Sequence, residues 1–519
     1  MDGVQELNNR IVSITNPSSN GMNGRQLRDL CSLGWLFVIA ALSFIVLRSP
    51  ENNTGDFVYF YSVGRSHETL ATGPDYFFVT QPAPGRVKPT RIWVIGDPGT
   101  FSTGAGKEVA VRDAYYQYTG SRHTDVWLAL GDNAYFSGTD EEYQANFFNV
   151  YPSLLRQTVL WSTIGNHETY SPLENDTLPY FNIFSFPTQA EAGGVASGTE
   201  RYYSFDYANI HFVCLDSELS DRSLDGPMLQ WLKADLEANT GDWVIAYWHS
   251  PPYTKGSHDS DNLFDNFGNM AEMRANAVRV LESFGVDLVL CGHSHIYERS
   301  YLLHGHYGFS NTLEPTMLRD AGDGRPDGTG AYLKTTSGPN VNQGAVYVVA
   351  GSSGWATSRT GVHPVMCFDE LQTGSLVIDV QGQRLDAKFL RETGAIDDYF
   401  SIIKGAPPEA MRITTFNIKD GQAIVRWKSV PGEKYRVERA TQISPSLWKR
   451  VGLPVTATGA TSTWSEIVPE GQTQSFYRVV RVTAPPPPPV QASLPSKKRS
   501  PSNLAKRDAE RGPSAPTRR

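Results

Sequence analysis

The strongest pattern along the chain is a set of short apolar runs, each ending in glycine or an aromatic residue and then in polar residues. They are "RIWVIGDPG", "DVWLALGDNAY", "VLWSTIGNHE", "DWVIAYWHSPPY" and "DLVLCGHSH". Continuous apolar runs of this length, bounded by turn signals, read as strands buried on both faces. Between them, amphipathic spacing predicts helices over 140–155, 226–238 and 270–285. Strands alternating with helices from Arg91 to about Lys404 indicate an α/β domain, placed at 89–404.

The pattern differs on either side. Residues 49–88 hold two strand-like pieces, "FVYFYSV" and "DYFFVTQ", before the joint "PAPGRVKP". Two strands are marginal in water, so either these pack on the α/β domain or the chain is truncated or fused at its start. Residues 411–483 alternate apolar and polar positions in short segments such as "QAIVRWKSV", "KYRVERA" and "SFYRVVRV". That texture predicts a small all-β sandwich. Residues 1–31 and 484–519 lack a core-forming pattern and are expected to be disordered. Residues 32–47, "SLGWLFVIAALSFIVL", follow Arg25 and Arg28. Their length suits a signal-peptide core or a short anchor. Export is therefore expected, to a secreted, periplasmic or outward-facing membrane-anchored location.

The net charge of −8 excludes a chain that binds nucleic acid by bulk electrostatics. The charge is uneven, with eight Lys+Arg against two Asp+Glu from Ala484 to Arg519. Four cysteines without a CxxC pair exclude a disulfide framework or a zinc ribbon. "FSTGAGKE" resembles a P-loop, but Phe101 and Glu108 stand where glycine and Ser/Thr are required.

The apolar runs end in Asp97; Asp132 and, three residues on, Tyr135; Asn166, His167 and Glu168; His249; and His293 with His295. Any one such end reads as an ordinary turn. Together they gather metal-ligand side chains at one edge of a sheet, where open α/β sheets build sites. An extended chain past Gly292 would put His293 and His295 on one side, whereas a loop would leave both in water.

The five blocks, in this order over roughly 91–402, resemble those of the calcineurin-like metallophosphoesterases. The GDxxY form of "GDNAY" is similar to that of the purple acid phosphatases within them. The resemblance implies a four-layer α/β (α+β) sandwich of two mixed sheets flanked by helices, and a binuclear metal centre. It implies that Asp97, Tyr135 and His295 bind one metal, that Asn166, His249 and His293 bind the other, and that Asp132 bridges both. It further implies that His167 and His258 contact phosphate, and that a metal-bound hydroxide attacks phosphorus in line. Oxygen-rich ligation at the first position suits Fe(III), and the second suits Zn, Mn or Fe(II). Small phosphate monoesters are the expected substrates. A phosphodiesterase and an inactive cell-surface binding protein are the alternatives. His67, His123, His211, His304 and His306 match no block, and His363 is left unassigned. The plant-type enzymes of this resemblance carry a complete sandwich ahead of the catalytic domain, of which 49–88 resembles only the last two strands.

Overall fold

The computed structural model describes residues 57–65, 68–100, 106–173, 177–337, 340–405, 413–441, 448–468 and 474–482. The 1–31, 32–47 and 484–519 segments lie outside these residues. No helix among the described residues is long and apolar enough to cross a membrane.

Two seven-stranded sheets dominate. The first has the order Tyr332–Thr335, Ile396–Gly405, Arg384–Arg391, Gly374–Gln381, Thr90–Ile95, Val126–Ala129, Leu160–Ser162. The second runs Met366–Glu370, Tyr297–Ser300, Val346–Ala350, Leu288–Cys291, Trp243–Trp248, Ile210–Cys214, Tyr203–Tyr207. Both are mixed. Thr90–Ile95, Val126–Ala129 and Leu160–Ser162 pair in parallel, while Gly374–Gln381 runs antiparallel to Thr90–Ile95.

Side-chain alternation explains the unbroken apolar runs. In Trp243–Trp248, Trp243, Ile245 and Tyr247 join one core cluster, and Val244, Ala246 and Trp248 join another. Leu288 and Leu290 divide from Val289 and Cys291 in the same way. The first cluster also takes Ile92, Leu128, Leu376 and Ile378 from the facing sheet, so it spans the space between the sheets, and it extends to the helix side of the first sheet through Trp93, Trp127 and Tyr115. The second lies under the Pro227–Ala238 and Val278–Ser283 helices, which supply Leu229, Leu232, Val278 and Leu281. Each strand residue therefore needs an apolar side chain whichever way it points. The expected pair of mixed sheets flanked by helices is present.

Local departures have physical causes. The helix expected over 140–155 is instead Asp140–Tyr143, a π turn at Gln144–Phe148 and Pro152–Leu155. A Thr139–Glu142 capping box starts it, and Pro152 opens its last piece. A helix at Glu108–Thr119, "EVAVRDAYYQYT", was not anticipated. Aromatic residues mask its period, and Tyr115 stacks on Trp93 at 4.2 Å.

The early strands form two hairpin-like pairs, Val58–Phe60 with Phe77–Val79 and Val63–Arg65 with Glu68–Ala71. They attach to the α/β region through Tyr61 Oη donating to Arg156 O (3.0 Å) and Gln157 Nε2 donating to Asp75 O (3.2 Å). The C-terminal region holds Ile413–Lys419, Gln422–Lys428 and Thr461–Ile467 in one three-stranded sheet, and Lys434–Ala440, Lys449–Thr456 and Phe476–Val482 in another. Val425, Trp427, Tyr435 and Val437 fill its own core. Cys214, Cys291 and Cys367 are free thiols.

His211 is buried between Asp206 (Nδ1, 2.7 Å) and Asp235 (Nε2, 2.8 Å). Burial alone would lower its pKa, but the two carboxylates outweigh it and hold the imidazolium up to about 9. The folded value lies above the unfolded one, so this stabilisation is full below about pH 6.5 and lost as pH rises through 9. We predict that His211→Gln costs about 3 kcal/mol more at pH 6 than at pH 10. Urea unfolding of both proteins at the two pH values reads the difference, and an equal cost would contradict it.

Candidate metal centre

Three of the five blocks place a left-handed residue directly after a glycine. Asp97 (φ 52°) follows Gly96, Asp132 (φ 51°) follows Gly131, and His293 (φ 66°) follows Gly292. Non-glycine residues held there cost about 1–3 kcal/mol each, an expense typical of functional sites. The turn aims each side chain back over the carboxyl ends of parallel strands. Thr90–Ile95 and Val126–Ala129 contribute from one sheet, Trp243–Trp248 and Leu288–Cys291 from the other. Approach is close at these glycines. A Cβ at Gly131 would lie 2.7 Å from His249 Nδ1, and one at Gly292 would lie 2.4 Å from Asp97 Oδ2.

The chain does not stay extended past Gly292. Ser294 N bonds Gly292 O (2.8 Å) and Ile296 N bonds Ser294 O (2.7 Å), so His293 sits in a tight turn. Nor do both histidines face water, because His293 is buried and His295 partly so. The turn sends the two rings to different neighbours.

One group of donors surrounds the Tyr135 hydroxyl. It lies 3.0 Å from Asp132 Oδ2, 3.0 Å from His295 Nε2 and 3.5 Å from Asp97 Oδ1. His295 Nε2 is 3.5 Å from Asp97 Oδ1. A second group surrounds Asn166 Oδ1, which lies 3.0 Å from His249 Nε2 and 2.9 Å from His293 Nδ1. Those two nitrogens are 3.2 Å apart, and Asp132 Oδ2 is 3.3 Å from His249 Nε2. Asp132 Oδ2 therefore touches both groups. His249 Nδ1 donates to Leu130 O (2.8 Å), so Nε2 is the nitrogen turned toward Asn166 and Asp132. Asn166 Nδ2 donates to Tyr170 Oη (3.1 Å), which turns its Oδ1 toward the two imidazoles.

Burial and neighbouring charges pull the groups at this site in different directions. Burial raises the Asp97 carboxyl against the pull of His295 and His249. Burial opposes ionisation of Asp132 as well, but His249, His167 and His293 hold it well below the usual carboxylate range. The Tyr135 phenol is pushed far above its ordinary value, by burial first and then by Asp132 and Asp97. Burial and the neighbouring His258 and His249 push His293 far down. Two carboxylates, a phenol and three imidazoles packed at hydrogen-bond distances fit a pair of cations. His293 Nε2 has no hydrogen-bond partner among the described residues. Asp132, His249 and His293 present ligand atoms within 4.8 Å of one another.

His167 and His258 flank these groups. His167 Nδ1 donates to Phe136 O (2.8 Å), and its Nε2 lies 3.9 Å from Asp132 Oδ2. His258 stacks on His293 with ring centroids 3.9 Å apart, and its Nδ1 meets Asp265 Oδ1 at 2.8 Å. His304, His306 and His363 lie elsewhere, around Glu282 and Tyr253.

Glu168 and Asp265 have roles that residue type alone did not reveal. Buried Glu168 accepts from the backbone N–H of Asp132 (2.9 Å), Asn133 (2.7 Å) and Gly165 (2.8 Å), and from Tyr143 Oη (2.9 Å). It ties the Asp132 and Asn166 turns together. Its place in "GNHE" was a signal. Asp265, which opens the short 3-10 helix Asp265–Gly268 seven residues after His258, had none.

Residues 90–297 match the family model described as calcineurin-like phosphoesterase. The chain carries a calcineurin-like metallophosphoesterase domain. Among curated relatives, purple acid phosphatase 22 of Arabidopsis thaliana is 29% identical over 247 residues, 46% of this chain and 50% of the relative. Purple acid phosphatase 18 of the same plant is 29% identical over 290 residues, 54% of this chain and 58% of the relative. The chain thus spans about half the length of these relatives. The purple acid phosphatase PPD1 from yellow lupin (Lupinus luteus) seeds shares the fold of this phosphoesterase domain. Its TM-score is 0.50 at 18% identity, covering 67% of this chain and 60% of that one.

Removing the Glu168 carboxylate strands three buried N–H groups, each costing about 1–3 kcal/mol. Glu168→Ala should therefore lose at least about 3 kcal/mol of stability in urea unfolding. A loss below about 1 kcal/mol would show that the turns hold themselves.

Proposed function

We propose that this chain is a binuclear metal-dependent phosphomonoesterase of purple acid phosphatase type. The observation that carries the reading is the single oxygen, Asp132 Oδ2, touching both donor groups. Asp97, Tyr135, His295 and Asp132 would hold one cation, and Asn166, His249, His293 and Asp132 the other. The oxygen-rich set suits Fe(III) and the imidazole-amide set a divalent ion such as Zn, Mn or Fe(II). Held there, two such cations would supply an acidified water and would offset the charge of an in-line displacement at phosphorus.

The chain's own residues supply the rest. The Phe136 carbonyl fixes the His167 ring, so a proton on His167 Nε2 can pass to the departing alkoxide. Asp265 orients His258 and occupies its Nδ1, which leaves Nε2 for a phosphate oxygen. The purple acid phosphatase relatives, the matched family model and the donor geometry all support this reading. The apolar segment 32–47 supports export of the activity. A chromogenic phosphomonoester and its diester, assayed side by side, test the substrate class. A faster diester would move the reading to a phosphodiesterase, and turnover of neither would point to a binding protein.

We predict that His167→Ala lowers turnover about a hundredfold while the metal content stays unchanged. An alkyl phosphate should suffer more than a nitrophenyl ester, whose leaving group needs no proton. Equal losses would make His167 a phosphate-binding group instead. We also predict that the iron-loaded oxidised protein absorbs visible light through a Tyr135 phenolate, and that Tyr135→Phe removes the band. A band that survives in the variant would take Tyr135 out of the ligand set.

A further inference from the structure

Two large rings stand exposed beside His167, although their neighbours are buried. Phe136 is 53% exposed and Tyr170 51%, whereas Tyr135 is 2% and Glu168 0% exposed. The two rings lie 6.1 Å apart at 30°. Both meet the His167 imidazole edge-on, Phe136 at 4.9 Å and 84°, Tyr170 at 5.2 Å and 67°. Both residues are tied to the site, Phe136 through its backbone and Tyr170 through its hydroxyl. The Phe136 carbonyl accepts from His167 Nδ1, and the Tyr170 hydroxyl accepts from Asn166 Nδ2. Exposed aromatic surface costs solvation unless something covers it.

His167 marks where the leaving oxygen departs, so the atoms beyond that oxygen meet these rings first. We infer that Phe136 and Tyr170 form a wall receiving the alcohol part of the ester, and that they select alcohols carrying a planar aromatic ring. A flat ring can lie against Phe136 or Tyr170 at normal stacking distance, whereas an acyclic polyol or an anionic alcohol gains far less from either. This inference rests on the phosphomonoesterase reading and adds the substrate class to it. The expected gain from one such contact is about fivefold in kcat/KM.

Benzyl phosphate and cyclohexylmethyl phosphate test it. Both leave through a CH2–O bond and need the same proton, and their rings are of similar size. They differ in planarity and π surface. Wild-type protein should prefer the benzyl ester about fivefold, mainly through KM. Phe136→Leu and Tyr170→Leu should each bring the ratio down toward 1, and Tyr170→Phe, which keeps the ring, should preserve it. A wild-type ratio near 1, a ratio unchanged in both leucine variants, or a ratio lost in Tyr170→Phe overturns the wall while leaving the phosphatase intact. If protein carrying two metals hydrolyses neither ester, the phosphomonoesterase reading falls and the wall falls with it.

Discussion

One oxygen atom organises the site. Asp132 Oδ2 lies 3.0 Å from a phenol and 3.3 Å from an imidazole that belong to separate donor groups, each built on a different set of strand ends. A carboxylate buried this deeply is costly unless positive charge stands beside it. Asp97 adds a second carboxylate whose Oδ1 lies 3.5 Å from the same phenol. With protein groups alone, the histidines are the nearby source of positive charge, and they are pulled in opposite directions. His249 is driven toward protonation by Asp132, although burial opposes it, while burial, His258 and His249 drive His293 the other way. The proposed pair of cations would resolve the conflict at these groups together.

The fold exists, in this view, to hold that oxygen in place. Two sheets buried on both faces bring the carboxyl ends of parallel strands from each to a common edge. Left-handed turns at Asp97, Asp132 and His293 redirect the chain there, and Glu168 braces two of the turns through backbone N–H groups. The strain of the turns is held against a rigid frame, because interiors packed like these have few alternative arrangements.

The sheets were legible because burial on both faces forces unbroken apolar runs, a pattern that needs no partner to be seen. The side chains gathered at the candidate metal centre were legible because Asp, Asn and His recur at five such run ends. What was not legible depends on contacts far along the chain. The turn at His293 replaces an extended strand end, and nothing in "GHSH" distinguishes them without the Asp97 carboxylate that accepts from its backbone at 2.8 Å. Asp265 matters only because its short 3-10 helix folds back on His258. The Glu108–Thr119 helix was not legible because Tyr115, Tyr116 and Tyr118 blur its apolar period; Tyr115 stacks on Trp93. The π turn at Gln144–Phe148 breaks a helix whose spacing looks continuous.

The most direct measurement is anomalous X-ray diffraction from crystals grown with iron and zinc supplied, collected on either side of each absorption edge. The account predicts two metal peaks, both within bonding distance of Asp132, one beside Tyr135 and His295 and the other beside His249 and His293. A single peak, or two peaks of which one lies away from Asp132, would contradict it.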